Sequence, residues 1–228
     1  LYQKYDKFFS KKEKLTSFDI FVIFLLIVII IITIITSLRK ISEIFPSVDQ
    51  TINKYRHIFN KLAEFIYWKA NLNNQERISI FIEHPIYPGE LLLIGRFSKY
   101  KNDQPTKIKL RIGKGAAGIA FSWGEPLYWG NLPSPQRNYD EYIGVSVNKF
   151  KLTEEEVKIL GTKSLSFYAV PLYIKEKSDG VYGVVLIDSK NPTISERRRK
   201  KILEILDNDL LKLVIYELQQ NLKKEFKK

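Results

Sequence analysis

Residues 113–128, GKGAAGIAFSWGEPLY, join a glycine-rich turn, a short apolar helix and a second turn that leads into a new strand. The positions Gly113, Gly115 and Gly118 match G-x-G-x-x-G, a spacing that cradles a dinucleotide pyrophosphate when it opens the first helix of a parallel βαβ unit. The context here is different. Two strand-like segments precede the one that leads into the glycines, and Gly124, Glu125 and Pro126 end the helix before Leu127, Tyr128 and Trp129 resume a strand. The glycines are therefore expected to allow a tight turn and a close approach of helix to sheet.

Working outward, Arg77 to Glu83 and Lys107 to Ile112 alternate polar and apolar residues, and Leu91 to Ser98 is a denser apolar strand. Leu165 to Ile174 and Val181 to Asp188 read as a hairpin closed by the polar turn Lys175 to Gly180. Five strands with helices at both ends predict an α+β domain around one antiparallel sheet. Before it, Ser47 and Gln50 fit a capping box, and apolar residues recur at Val48, Ile52, Tyr55, Phe59, Leu62 and Ile66. Ile41 and Phe45 extend the alternation backwards as a heptad seam. Such a seam suits a helix of a second copy, making a homodimer, or the helix's own domain.

Residues 20–38, IFVIFLLIVIIIITIITSL, carry no charge. At about 1.5 Å per residue they cover roughly 30 Å, the thickness of a bilayer's hydrocarbon core, so the stretch reads as a transmembrane helix. Membrane is thus the first expected partner. The formal charge of +12 would suit nucleic acid, but the cations cluster around the apolar run and at residues 197–201. Proximity to anionic lipid accounts for much of this charge, and nucleic acid is set aside as a partner. Arg197, Arg198 and Arg199 sit where a helix N-terminus disfavours positive charge, which marks them as candidates for contact with lipid or an acidic partner. A solvated face is the plainer alternative. The basic N-terminal flank alone favours an outside location for the domain.

The chain has neither cysteine nor methionine. Disulfides, thiolate metal sites and a cysteine nucleophile are excluded, and upstream sequence is expected beyond residue 1. Two histidines far apart, His57 and His84, offer no metal site. No catalytic residues emerge, since H-E-x-x-H, G-x-S-x-G and Walker patterns are missing, and the chain is expected not to be an enzyme.

Residues 113–128 resemble the GAF-domain signature, in which a glycine-rich turn and short helix lead to G-E-P-hydrophobic-aromatic. Residues 164–172, SLSFYAVPL, and 183–189, GVVLIDS, are similar to two later strands of that family, and a closing helix from Thr193, with Thr193 and Glu196 in capping-box spacing, follows in the right place. The resemblance covers about residues 48–222. It implies a GAF/PAS-like central antiparallel sheet with flanking helices, here preceded by one transmembrane helix. It also implies a pocket roofed by residues 131–163, including a short helix marked by Thr153 and Glu156 and ended by Gly161. Trp123, Tyr128, Tyr142, Phe150 and Tyr168 are the candidate lining for a small planar ligand. Family members bind varied small molecules, so no cofactor is assigned, and the bilin-binding and sulfoxide-reductase branches require cysteine.

The expected organisation is a basic segment 1–18, a transmembrane helix 19–38, a linker helix 39–70, a sensor core 71–192 and an amphipathic C-terminal helix 193–228. The resemblance implies a cytoplasmic domain. Two functions follow: a membrane-anchored sensor that binds a small ligand and signals through helix-mediated dimerisation, or a membrane-tethered scaffold whose pocket is filled by its own side chains.

Overall fold

The computed structural model describes residues 27–36, 48–99, 110–159, 163–174 and 180–226. It divides into two compact units, Leu1–Ser47 and Val48–Lys228. In the first, residues 27–36 are helical, and Ile27, Ile29, Ile30, Ile31, Ile32, Ile34 and Ile35 are all exposed. Its hydroxyls turn inward: Thr33 Oγ1 donates to the Ile29 carbonyl at 2.8 Å and Thr36 Oγ1 to that of Ile32 at 3.0 Å. Among the described residues no helix is long and apolar enough to cross a membrane. The rest of the 20–38 run, Ile41, Phe45 and the capping position Ser47 lie outside the described residues.

The second unit runs α1 Val48–Lys69, β1 Glu76–Glu83, β2 Glu90–Ser98, β3 Leu110–Arg111, α2 Gly115–Trp123, β4 Leu127–Trp129, α3 Tyr139–Phe150, α4 Glu154–Ile159, β5 Ser166–Leu172, β6 Gly183–Ser189, α5 Glu196–Leu206 and α6 Asp209–Glu225. Among the described residues these form one sheet of six strands in the order β3-β2-β1-β6-β5-β4, with every neighbouring pair antiparallel. The sixth strand is β4, which pairs Leu127 with Ala169, Tyr128 with Tyr168 and Trp129 with Phe167. Of the strand expected from Lys107, the part before Leu110 lies outside the described residues.

Because side chains alternate along a strand, the sheet divides the interior in two. Ile78, Ile80 and Ile82 of β1, Ile94 of β2, Tyr168 and Val170 of β5 and Val185 and Ile187 of β6 meet α1, α5 and α6 on one face. The opposite face carries Phe81, Leu91, Leu93, Leu127, Trp129, Phe167, Ala169, Val184 and Leu186 against α2, α3 and α4. Each large apolar side chain fully buried here contributes about 1.5–3 kcal/mol.

The linker helix is part of this unit. Ile52, Tyr55, Phe59 and Ile66 are buried in the domain's own core, with Leu62 packed against it; the side chain of Val48 lies outside the described residues. The stripe read as a seam for a second copy is thus taken up by the sheet beneath it. Contact is close enough that a Cβ on Gly95 would lie 2.6 Å from the Phe59 carbonyl oxygen. Beside it the Arg96 N–H donates to Asn60 Oδ1 at 2.8 Å. The helix ends at Asn71, held at φ 55°, where the Leu72 N–H returns to the Tyr67 carbonyl and buries Leu72.

The C-terminal helix is two helices. Asp207 and Asn208 interrupt it, and the Asn208 side chain accepts the Leu211 N–H at 3.0 Å to cap a new start, a position short polar residues favour over helix interiors. The capping box expected at Thr193 does not form, since α5 begins at Glu196. The one at Thr153 does: Thr153 Oγ1 accepts the Glu156 N–H at 3.2 Å while Glu156 Oε2 accepts the Thr153 N–H at 2.7 Å.

Two glycines separate these effects. Gly95→Ala should lower stability by about 1–3 kcal/mol, since the methyl meets backbone and the layer must part. Gly144→Ala, in α3 with nothing within 4 Å of the new methyl, should be neutral or stabilising by up to about 1 kcal/mol. Urea denaturation of the two variants in mild detergent checks the contrast.

Candidate functional site

The expected pocket lining does not converge. Tyr142 and Phe150, on α3, are buried among α2, α4 and the β4–β6 side chains. Tyr168 is buried on the opposite face, where Tyr128 packs beside it. Trp123, at the end of α2, is 63% exposed. The reason is strand parity: Tyr128 and Tyr168 face each other across β4 and β5 but point away from α3. The residues that do meet Phe150 are Trp129, at a ring-centroid distance of 5.3 Å and 75°, and Phe167, at 5.3 Å and 79°. These edge-to-face contacts are favourable pairings, and the rings occupy the space beneath α3 and α4. Helix α3 itself was not anticipated, although Asn138 and Glu141 signal its start: Asn138 Oδ1 accepts the Glu141 N–H at 3.1 Å.

The same face holds a buried polar group. Arg77 Nε donates to Asp188 Oδ2 at 2.9 Å, with the two side chains 11% and 5% exposed, and Ser164 Oγ donates to Asp188 Oδ1 at 2.8 Å. Burial pushes the Tyr142 phenol up to about 12, with the Asp188 charge acting in the same direction and a hydrogen bond from Ser146 opposing it. Arg77 and Asp188 are cross-strand partners on β1 and β6. Both strands were readable in the sequence, but their mutual register was not.

Two members of the basic cluster, Arg198 and Arg199, are engaged within the domain, while Arg197, Lys200 and Lys201 are exposed. Arg198 Nη1 donates to Glu76 Oε1 at 2.5 Å, and Glu76 is fully buried. The Arg199 guanidinium carbon lies 4.0 Å from the centroid of the Tyr128 ring, a cation–π contact, while Tyr128 Oη accepts the Ile194 N–H at 3.3 Å. Of the three arginines proposed to meet lipid or an acidic partner, Arg197 alone remains exposed. The unfavourable position near the helix N-terminus is offset by a buried carboxylate and an aromatic face.

The glycine-rich stretch behaves as a structural turn. Gly113 and Gly115 adopt φ of 84° and 65°, the Gly113 N–H donates to the Gly118 carbonyl at 2.8 Å, and a Cβ on Gly118 would meet the Arg111 carbonyl. A shallow groove of about 500 Å³ opens at the far end of α2, lined by Phe121, Trp123, Glu125, Tyr173 and Val181 among others. The Tyr173 hydroxyl donates to the Gly124 carbonyl at its base. Among the described residues no group of three or more His, Asp or Glu side chains is placed to hold a metal.

No family model and no curated protein matches the sequence. Solved structures do match. The chain is similar to the GAF domain of a phosphoenolpyruvate-protein phosphotransferase from Coxiella burnetii, at 16% identity over 78% of this chain and 94% of that one, with a TM-score of 0.50. It is also similar to the GAF domain of a two-component sensor histidine kinase from Bacillus halodurans, at 19% identity over 71% and 95%, TM-score 0.46. A third neighbour is a type II free methionine-R-sulfoxide reductase from Thermoplasma acidophilum, at 15% identity over 73% and 95%, TM-score 0.46. The second unit has the GAF domain fold. The expectation that the chain is not an enzyme is corrected, because neighbours of this fold include sulfoxide reductases.

Two variants probe the buried face. Asp188→Ala should cost about 3–5 kcal/mol by leaving Arg77 buried without its carboxylate. The alkaline limb of stability should also respond to Tyr142. An unfolded tyrosine loses its proton near 10, whereas the folded phenol holds it to about 12. The stabilisation is complete below pH 10 and declines between 10 and 12 as the unfolded state releases protons first. Tyr142→Phe should make that decline shallower, read from urea midpoints against pH.

Proposed function

We propose that this chain is a membrane-anchored regulatory module of the GAF fold, in which the site beneath α3 and α4 is filled by the protein's own aromatic side chains. The observation that carries it is the packing of Trp129, Phe150 and Phe167 where a planar ligand would need room. A filled, rigid layer suits a domain that presents its outer surface to another macromolecule. The apolar run 20–38 supports the anchor, and the inward-bonded hydroxyls of Thr33 and Thr36 suit a helix surrounded by lipid, where backbone and side-chain polar groups must be satisfied internally.

The groove at the end of α2 favours a second reading, a sensor that takes a small molecule there. Trp123, Phe121 and Tyr173 supply flat apolar surface and Glu125 a carboxylate, a mixture that suits ligand sites. Reception would then lie outside the layer under α3 and α4.

Two outcomes are expected. The chain should stay with membranes through alkaline carbonate extraction and be released when residues 20–38 are deleted; recovery of the intact chain in the soluble fraction would remove the anchor. Planar small molecules should leave the melting temperature of the intact chain unchanged. Phe150→Ala, which opens the layer at a cost of about 3–5 kcal/mol, should be partly restabilised by small aromatic compounds. Stabilisation of the unaltered chain by a planar ligand, lost on substitution of Trp129 or Phe150, would overturn the filled-site reading.

A further inference from the structure

Helix α1 has a second face that the sheet does not use. Along it Ile58, Phe65 and Trp68 are 42%, 48% and 53% exposed, and Lys54, Lys61 and Lys69 are exposed on the same side. The lysines border the rings. The Lys69 ammonium lies 5.9 Å from the Phe65 ring centroid, and that of Lys99, from the end of β2, lies 4.4 Å from the Trp68 ring. Lys61 pairs with Glu64 at 2.8 Å and Lys54 with Glu225 at 3.0 Å, yet the lysine side chains stay 66% and 68% exposed. Lys61, Glu64, Phe65, Trp68 and Lys69 line a shallow depression of about 380 Å³.

We propose that this outer stripe of α1 is a lipid-contact surface that seats the domain on an anionic bilayer. Aromatic rings flanked by lysines match what the headgroup region accepts: Trp and Phe reach the acyl boundary while lysine stems lie along them and carry their ammonium groups to phosphate level. A second copy of the chain is disfavoured as occupant, because laying the stripe on itself brings Lys54, Lys61 and Lys69 against lysines, with the carboxylates near it already engaged by Lys54 and Lys61. The proposal rests on the anchor reading for proximity. Residues 39–47 connect the apolar run to α1, and nine residues reach at most about 30 Å, so α1 begins within a short distance of the bilayer.

The test uses the full chain in vesicles of phosphatidylcholine, alone or mixed with phosphatidylglycerol, with lipids brominated at a shallow acyl position as quenchers of tryptophan emission. The chain has three tryptophans, Trp68, Trp123 and Trp129, so Trp68→Phe assigns the signal. The expected result is quenching in anionic vesicles that Trp68→Phe largely removes and that the double variant Lys61→Glu, Lys69→Glu lowers to the level in phosphatidylcholine alone, with unchanged circular dichroism. Carbonate resistance, measured on the same samples, reports the anchor separately. A chain that resists extraction while Trp68 is unquenched overturns the proposal and leaves the anchor standing. A chain released by carbonate with Trp68 quenched does the reverse. Emission insensitive to brominated lipid but shifted by dilution would assign the stripe to self-association and also overturn it.

Discussion

The close approach of α1 to β2 at Gly95 governs how the domain is assembled. No side chain fits between the Phe59 carbonyl and the strand, and Asn60 fixes the rotation of the helix by accepting the Arg96 N–H. Successive residues are about 100° apart around a helix, so this contact determines which stripe is buried. Phe59, Ala63, Ile66 and Tyr67 are fully buried as a result. The placement of α6 follows in turn, since Glu225 accepts from Tyr55 Oη at 2.8 Å and from Lys54. Ile58, Phe65 and Trp68 face outward for the same reason that Phe59 and Ile66 face in.

Much of this was legible in the sequence because it depends on local pattern. The strand 76–83 follows from alternation, 90–98 from a dense apolar run, 166–172 and 183–189 from two apolar segments joined by a polar turn, and the glycine-rich turn follows from the need for positive φ and a close backbone approach. The identity of the partner for α1 was not legible. A 4-3 apolar repeat states that one stripe is buried, and a sheet buries it as well as another helix would. What distinguishes the two is Gly95, a glycine within a strand, and glycine there marks a site where another backbone comes close.

The aromatic site shows a different limit. Tyr128 and Tyr168 were grouped with Tyr142 and Phe150 as the aromatic lining of the pocket that the family resemblance implied, but parity places Trp129 and Phe167 on the shared face instead. A one-residue change of parity moves a side chain across the sheet, and parity can be assigned only when one residue of each strand is anchored. The apolar Val184 and Leu186 of β6, which alternate with Val185 and Ile187, do not say which set meets α3 because both faces of this sheet are covered. Charge was misleading for a related reason. Five successive cations look like a surface feature, yet Arg198 and Arg199 serve Glu76 and Tyr128, residues 122 and 71 positions away in the chain. The helix break at Asp207 and Asn208 was local and readable, and the long apolar pattern on either side obscured it.

These constraints bear on how a change could pass between the sheet and the chain that precedes it. Sliding α1 by one turn would preserve backbone contact with Gly95 but would take Asn60 from the Arg96 N–H and Tyr55 from Glu225, and it would move the packing of every buried residue along the stripe. Close-packed layers shift between discrete arrangements and resist gradual deformation. Helix α1 and the sheet therefore act as one body, and any motion of α1 would take the form of reorientation of that body. A surface that fixes the outer stripe of α1 against a bilayer would set the orientation of the whole sheet, including the layer of α2, α3 and α4 on its far side. A partner that binds that far layer can bias the arrangement only by holding one orientation more tightly than another.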